Sequence, residues 1–230
     1  MKEVLNQEQL AFLAEILPCW KAMDREHQRL LERTMTERSV KRGEYLYQGD
    51  RDCTGVFWMR YGQARVFLIS GTEKQITLYR LLERDNCFLS ASCVIKNINF
   101  DVFIQAEKDC RILLLPANVY QDLMEKSFPL ATYCNQILAS RFSDVMWVME
   151  QTIFTSLDRR LALFLLEQKA IDESSDLHIT HEAISNHLGT AREVVTRMLK
   201  YFQEEGLVSL SRGAIEILDE ERLKELAYAA

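Results

Sequence analysis

The stretch Leu177-His178-Ile179-Thr180-His181-Glu182-Ala183-Ile184-Ser185-Asn186-His187-Leu188-Gly189-Thr190-Ala191-Arg192-Glu193-Val194-Val195-Thr196-Arg197-Met198-Leu199 reads as two short helices joined by a tight turn. Thr180 stands where a side-chain oxygen caps a helix, and Ala183, Ile184 and Leu188 then recur at helical spacing on one face. Gly189 supplies the turn, and Thr190 is placed to cap the second helix. There Val194, Val195, Met198 and Leu199 form an inward stripe, which leaves Arg192, Glu193, Thr196 and Arg197 outside. Such a face suits the major groove of DNA. A guanidinium pairs bidentately with a guanine edge, and a carboxylate accepts from the amino group of cytosine.

Working outward, Glu205-Gly206-Leu207-Val208-Ser209-Leu210-Ser211-Arg212-Gly213-Ala214-Ile215-Glu216-Ile217 alternates apolar and polar residues around Ser211-Arg212-Gly213. This is the pattern of a β-hairpin, and its place after the second helix makes it the wing of a winged helix-turn-helix. Two helices around a glycine also occur in small bundles whose charges are merely solvated. The turn, the outward Arg-Glu-x-x-x-Arg and the hairpin, in that order, favour DNA.

Composition limits the remaining choices. The 230 residues are enough for two domains with their own cores, and 48% hydrophobic content indicates an ordered globular chain. No apolar run approaches the roughly 20 residues that span a bilayer, and the start Met1-Lys2-Glu3 carries no apolar signal region, so a cytoplasmic location is expected with no membrane partner. Six cysteines without a C-x-x-C read as reduced thiols. The net charge of −6 counts against DNA, and from Ser156 to Ala230 nine Lys/Arg face fourteen Asp/Glu. Binding must therefore rest on a local patch of Arg192, Arg197, Lys200 and Arg212, with a strong dependence on salt.

Taken from its start, the chain is helical from Asn6 to about Met35, broken at Pro18, with Asp24 capping a helix that carries Leu30, Leu31 and Met35. From Ser39 to Pro116 short alternating segments punctuated by Gly43, Gly49, Gly55, Gly62 and Gly71 predict strands at Val56–Met59, Ala64–Ile69, Gln75–Leu82, Phe100–Ala106 and Arg111–Leu115. Ser70-Gly71-Thr72-Glu73 is a hairpin connection. Regular strands with glycine turns imply an antiparallel roll or barrel. From Pro129 to Phe154 a long helix is predicted. In it Leu138, Phe142, Val145 and Met149 step 4-3-4, the spacing of a coiled-coil seam, while Tyr133, Ile137 and Trp147 lie on faces turned to the roll. The seam is either intramolecular core or a dimer contact. A helix apolar on more than one face needs two partners, which favours the dimer. The expected class is α+β. Residues 1–128 form an effector-sensing β-roll, 129–155 a dimerisation helix and hinge, and 156–230 a winged helix-turn-helix.

This order of parts, with Gly43-Glu44-Tyr45-Leu46-Tyr47-Gln48-Gly49-Asp50 in the roll and Thr190-Ala191-Arg192-Glu193-Val194-Val195-Thr196-Arg197 in the motif, resembles the Crp/Fnr superfamily of bacterial transcription regulators. The resemblance covers nearly the whole chain and implies a double-stranded β-helix of the cyclic-nucleotide-binding kind. It further implies a homodimer that senses a signal in the roll, binds pseudo-palindromic double-stranded DNA and works with RNA polymerase. Arg192, Glu193 and Arg197 match the base-reading positions of the cyclic-AMP receptor branch, which implies TGTGA-like half-sites. Thr180, Thr190, Ser211 and Arg212, with Lys200 in the same basic patch, are then the phosphate contacts.

The sensor departs from that branch. Where cyclic-nucleotide binders carry Gly-Glu and later Arg-Ser or Arg-Thr, this chain has Asp85-Asn86-Cys87-Phe88-Leu89-Ser90-Ala91-Ser92-Cys93 and Phe100-Asp101-Val102-Phe103. A buried cyclic phosphate needs a cation or donors in place of its water, and an aspartate repels it. Cyclic AMP is therefore not the expected effector. An iron–sulfur cluster is not expected either, because only Cys19 precedes Cys53. No cofactor or metal is evident, and an unidentified small molecule held among Leu78, Phe88, Ser90, Ser92 and Phe103 is the expectation. Cys87 and Cys93, six residues apart, are candidates for a redox switch, against the commoner case of buried inert thiols. His178, His181 and His187 are expected to be solvated. A competing reading is a small-molecule or thiol-redox module whose helix-turn-helix docks protein. An enzyme is not expected, since the chain has no phosphate-cradling loop, H-E-x-x-H or G-x-S-x-G.

Overall fold

A computed structural model describes residues 5–49, 54–91 and 101–228. The fold is α+β, and the chain divides into two compact units, Met1–Leu68 with Leu78–Val145, and Ile69–Thr77 with Met146–Ala230.

The first unit opens with helix α1 (Gln7–Ile16), started by a reciprocal cap in which Asn6 Oδ1 accepts from Gln9 N and Gln9 Oε1 accepts from Asn6 N. A single 3₁₀ turn, Trp20–Ala22, follows Pro18, and α2 (Arg25–Thr34) is capped by Asp24, whose Oδ1 accepts from His27 N at 2.8 Å. Eight strands follow: β1 (Thr36–Val40), β2 (Tyr45–Gln48), β3 (Val56–Tyr61), β4 (Ala64–Ile69), β5 (Gln75–Leu81), β6 (Asn86–Cys87), β7 (Phe103–Ala106) and β8 (Cys110–Leu115). They form two sheets of order β1-β8-β3-β6 and β2-β7-β4-β5, with antiparallel pairing throughout the registers β1–β8, β3–β8, β3–β6, β2–β7 and β4–β7.

Strand β3 explains why this roll is stable. Its run Val-Phe-Trp-Met lacks polar alternation because both of its faces are covered. Phe57 and Met59 enter the roll interior with Val66, Ile104 and Ile112, while Val56 and Trp58 join Leu113 and Leu115 against the helices. Helix α3 (Ala117–Lys126) and the start of α4 (Phe128–Phe154) complete that helix-side core through Tyr120, Leu123, Leu130 and Cys134. At Gly55 a Cβ would sit 2.0 Å from the carbonyl oxygen of Leu115 with φ at +113°, so the chain enters β3 only because that residue is glycine.

Helix α4 runs 27 residues, about 40 Å at 1.5 Å per residue. Tyr133, Ile137 and Leu138 pack against the helix-side core and Val145 against the roll core. Phe142 is 67% exposed, and Met146, Met149 and Ile153 are exposed along the same helix. The four-residue seam is therefore divided within one chain, with Leu138 and Val145 half-buried and Phe142 and Met149 in solvent. Trp147, expected against the roll, is 45% exposed.

The second unit contains α5 (Leu157–Asp172), β9 (Asp176–Leu177), α6 (His181–Leu188), α7 (Arg192–Glu204), β10 (Val208–Ser211), β11 (Ala214–Ile217) and α8 (Glu220–Tyr228). Its sheet has the order β10-β11-β9, and its core joins Leu161 and Leu165, Ile184 and Leu188, Val195, Leu199 and Phe202, and Ile215. Strand β9 was not expected from the sequence. Two residues are too short to show a period, and pairing with β11 is what makes them a strand. Among the described residues no helix is long and apolar enough to cross a membrane.

Candidate nucleic-acid interface

Helix α6 begins as the sequence suggests. Thr180 Oγ1 accepts from Ala183 N at 3.1 Å, and the helix stops at Gly189, which takes φ +68° and ψ +32°. A left-handed residue there turns the chain so that α7 starts three residues later, at Arg192. Arg160, on α5, donates to the carbonyl oxygen of Leu188 at 2.6 Å and so satisfies a group that the end of α6 leaves open. Burial pushes the Arg160 guanidinium below its usual range.

Helix α7 departs from the expectation at its first residue. Its N-cap is Ala191, with no side-chain hydrogen bond, so Thr190 is half-buried in the turn and does not cap the helix. Thr190 N donates to Ser185 O at 3.1 Å, which places the residue in the C-terminal bonding of α6. Val195, Leu199 and Phe202 are fully buried along one side of α7. On the opposite side Arg192, Glu193, Thr196, Arg197 and Lys200 line a solvent-open hollow of about 460 Å³. At about 100° per residue these five positions fall within an arc of roughly 140°, broad enough to meet a groove edge with more than one side chain. Arg192, Glu193, Arg197 and Lys200 are exposed; Glu193 lies in the first turn, where a carboxylate complements the helix dipole.

The wing is a two-residue loop. Ser211 pairs with Ala214 across it, and Ser211 and Arg212 are exposed at the tip. Thr180 is likewise exposed at the start of α6. The structure thus brings Arg192, Glu193, Arg197 and Lys200 to one face of α7 and places Thr180, Ser211 and Arg212 in solvent at the ends of neighbouring elements.

Two histidines behave differently from their sequence reading. His187 is only 9% exposed, with Nδ1 2.8 Å from Thr77 Oγ1 and its ring 5.0 Å from that of Phe164. His181 is half-buried with Nδ1 2.9 Å from Thr196 Oγ1, and burial, then the neighbouring Arg192, hold its pKa below the usual histidine value. Only His178 is exposed, 3.6 Å from Asp176. The sequence does not mark Arg160 or the Thr196–His181 pair. Arg159-Arg160 reads as ordinary surface charge, and no spacing rule connects residues 181 and 196 across a turn.

In the roll, the four described residues of the five expected to line an effector pocket, Leu78, Phe88, Ser90 and Phe103, do not come together. Leu78 lies in the roll core, whereas Phe88 packs edge-on to Trp58 and beside Tyr120 in the helix-side core. Ser90 is fully buried, donating to Gly55 O at 2.6 Å. Phe103 pairs with Phe67 on the face of its sheet opposite Ile104 and Val66, and stands with Tyr45 in an aromatic group where Arg65 covers Phe67 at 4.0 Å. Ser92 and Cys93 lie outside the described residues. Cys87 is buried, and burial pushes its thiol pKa up, the reverse of what a reactive thiolate needs. Tyr79 and Arg141 stand beside it, the guanidinium 4.7 Å from the Tyr79 ring centre and 3.3 Å from Asp85 Oδ1.

Comparison with known proteins bears on both units. Residues 37–127 match the family described as cyclic nucleotide-binding domain, and residues 159–226 match the Crp-like helix-turn-helix domain. A crystal structure of a protein from Eubacterium rectale, described as a transcriptional regulator of the crp/fnr family, is 46% identical. It covers 94% of this chain and all of its own, with a TM-score of 0.92. The transcriptional activator protein anr of Pseudomonas aeruginosa is 26% identical over 83% of this chain and 80% of its own length. The transcriptional regulatory protein btr of Bordetella pertussis is 28% identical over 81% of this chain and 79% of its own.

Proposed function

The chain belongs to the Crp/Fnr family of DNA-binding transcription regulators, and from that premise we propose that it is a homodimer reading a pseudo-palindrome with TGTGA-like half-sites. Its relatives are regulators and not enzymes. The observation that carries the half-site is the exposed row Arg192, Glu193 and Arg197 on a helix whose back is fully buried. Two arginines at that face answer two guanines and the glutamate answers a cytosine. Thr180, Ser211, Arg212 and Lys200 hold the phosphates and set register, and Thr190, half-buried in the turn, reaches them through its edge.

The exposed apolar residues of α4 support the dimer. Phe142, Met146, Met149 and Ile153 leave a stripe that water does not reward, and a second copy of the same helix covers it by two-fold symmetry. A dimer also presents α7 twice, as two half-sites require. The effector is a small molecule other than cyclic AMP. Phe100-Asp101-Val102-Phe103 supplies no cation where the family's cyclic phosphate is held. The protein works with RNA polymerase in the cytoplasm.

Fluorescence anisotropy with a TGTGA palindrome and a scrambled duplex of equal length tests the reading. The palindrome is expected to bind at least about a thousand-fold more tightly, the lower end of specific over non-specific binding. Equal weak binding to both would falsify it.

A further inference from the structure

His181 opens α6 directly after Thr180 and reaches across to α7, where its Nδ1 lies 2.9 Å from Thr196 Oγ1. Thr196 Oγ1 donates its one proton to the carbonyl oxygen of Arg192 at 3.0 Å, so in the second contact the imidazole must be the donor. The neutral ring therefore carries its hydrogen on Nδ1, and Nε2 is left as a bare base with no hydrogen-bond partner among the described residues. Thr196 lines the solvent-open hollow with Arg192, Glu193, Arg197 and Lys200, which puts the ring one hydrogen bond from the face proposed to meet DNA. Two cations, Arg192 and Lys200, stand one turn either side of Thr196 on α7, and Glu182 follows the ring on α6. In the preceding segment His178 and Asp176 pair with each other at 3.6 Å. Burial, then Arg192, hold the imidazole below the usual histidine pKa, so the free protein keeps it uncharged in neutral solution.

We propose that binding to DNA takes up one proton per half-site at His181 Nε2, which makes affinity rise as the pH falls. The inference rests on the proposed DNA-reading function and adds regulation by pH to it. Phosphates set against Arg192 and Lys200 compensate the charge that opposes a further cation on the ring, and the negative field of the duplex itself favours imidazolium. The protonated ring keeps its Nδ1–H on Thr196 and gains a second N–H at Nε2, so the step adds charge without breaking the hydrogen bond already made. A group that is neutral in the free protein and charged in the complex couples protonation to binding, whichever phosphate comes nearest. The coupling acts between the depressed value in the free protein and the higher one in the complex. It vanishes above both, where the ring is neutral in either state.

The test uses the full chain and the sequence that it selects from a randomised duplex pool, so that it does not depend on TGTGA. Affinity is followed by anisotropy from about pH 8 to about pH 5.5 at constant ionic strength, the range in which histidine titrates. It is expected to rise as the pH falls, with a slope that at its steepest approaches about tenfold per pH unit for each half-site. Calorimetry in two buffers of different ionisation enthalpy is expected to show protons taken up over the same range. His181→Asn keeps an N–H where Nδ1 stands but cannot titrate. It is expected to match the parent at the alkaline end and to lose most of the slope, and His181→Gln supplies a second non-titrating side chain should that variant fail to fold. His178→Asn, at the exposed histidine, is expected to keep the parental slope. If specific binding by the parent ignores pH, or if the non-titrating variants keep its slope, the assignment is overturned while the DNA-reading function stands. If the pool yields no enriched sequence, both fall together.

Discussion

Two helices in this chain each leave one face uncovered, and they do so with opposite chemistry. Helix α7 exposes Arg192, Glu193, Arg197 and Lys200, groups that water solvates well, so the face persists uncovered, and in the proposed function phosphates and base edges replace that water. Helix α4 exposes Phe142, Met146, Met149 and Ile153, which gain nothing from water. A charged face can await its partner, whereas a contiguous apolar one marks a contact that is made in the working state. In the proposed function the charged face meets DNA and the apolar face joins the two copies.

The largest expected effect lies on α4. Phe142→Glu combined with Met149→Glu places charge at two positions that are already exposed, so the monomer fold is little affected while the apolar contact between copies is lost. Sedimentation is expected to show a monomer, and affinity for a palindrome is expected to fall by at least about a hundred-fold, because linked half-sites gain about 10²–10⁴ from effective concentration. A stable dimer of the double variant would move the dimer surface elsewhere.

Next come the arginines of α7. Arg192→Ala or Arg197→Ala is expected to cost about 1–3 kcal/mol of discrimination at one base pair of each half-site, measured by competition against duplexes altered at that position. Arg212→Ala at the wing is the contrast. It should weaken all sequences alike and lower the slope of log K against log salt by about 0.9 per lost phosphate contact.

A smaller effect is expected at Arg160, whose bond to Leu188 O holds the junction between the two helices of the motif. Arg160→Met keeps most of the side-chain bulk and should cost about 1–2 kcal/mol in urea unfolding, a value reduced for its partial exposure. Removal without any change in midpoint would assign the junction to Gly189 alone.

The smallest effect concerns pH. His181 has a folded pKa below its ordinary 6.5, so the folded state binds fewer protons than the unfolded chain across that interval. The contribution of this group is complete above about pH 6.5 and is lost as pH falls through the depressed value. Thermal melts at falling pH are expected to show a shallower decline for His181→Gln than for the parent. Parallel declines would remove His181 as the source.

Much of this was readable without coordinates where a period or a cap carried the signal. The caps at Asp24 and Thr180, strand β4 and the two-residue wing fall where local pattern puts them. Strands β1, β2 and β6 carry no such signal. Thr36–Val40 is largely exposed and β6 has only two residues, so neither shows an alternation that marks a strand before its partner is known. Thr190 was expected as a cap because residue type and position both favoured it, yet the helix begins one residue later, at a point fixed by how α7 packs.

The interior of the roll was the least readable part. Leu78, Phe88, Ser90 and Phe103 are near in sequence to one loop, and the structure distributes the four of them among two cores, a buried hydrogen bond and an outer aromatic group. A strand's two faces differ by a single residue, so a small shift in expected register moves a side chain to the other side of the sheet.

The order of residues alone determined which helix of the motif faces outward with charge and that Gly189 makes the turn between its two helices, because side-chain period and backbone freedom are local properties. Tertiary structure alone decided that His187 is buried, that Arg160 closes the end of α6, and that Thr196 has its hydroxyl engaged. Each depends on groups distant in sequence that meet only after the cores have formed, and no local pattern encodes such a meeting.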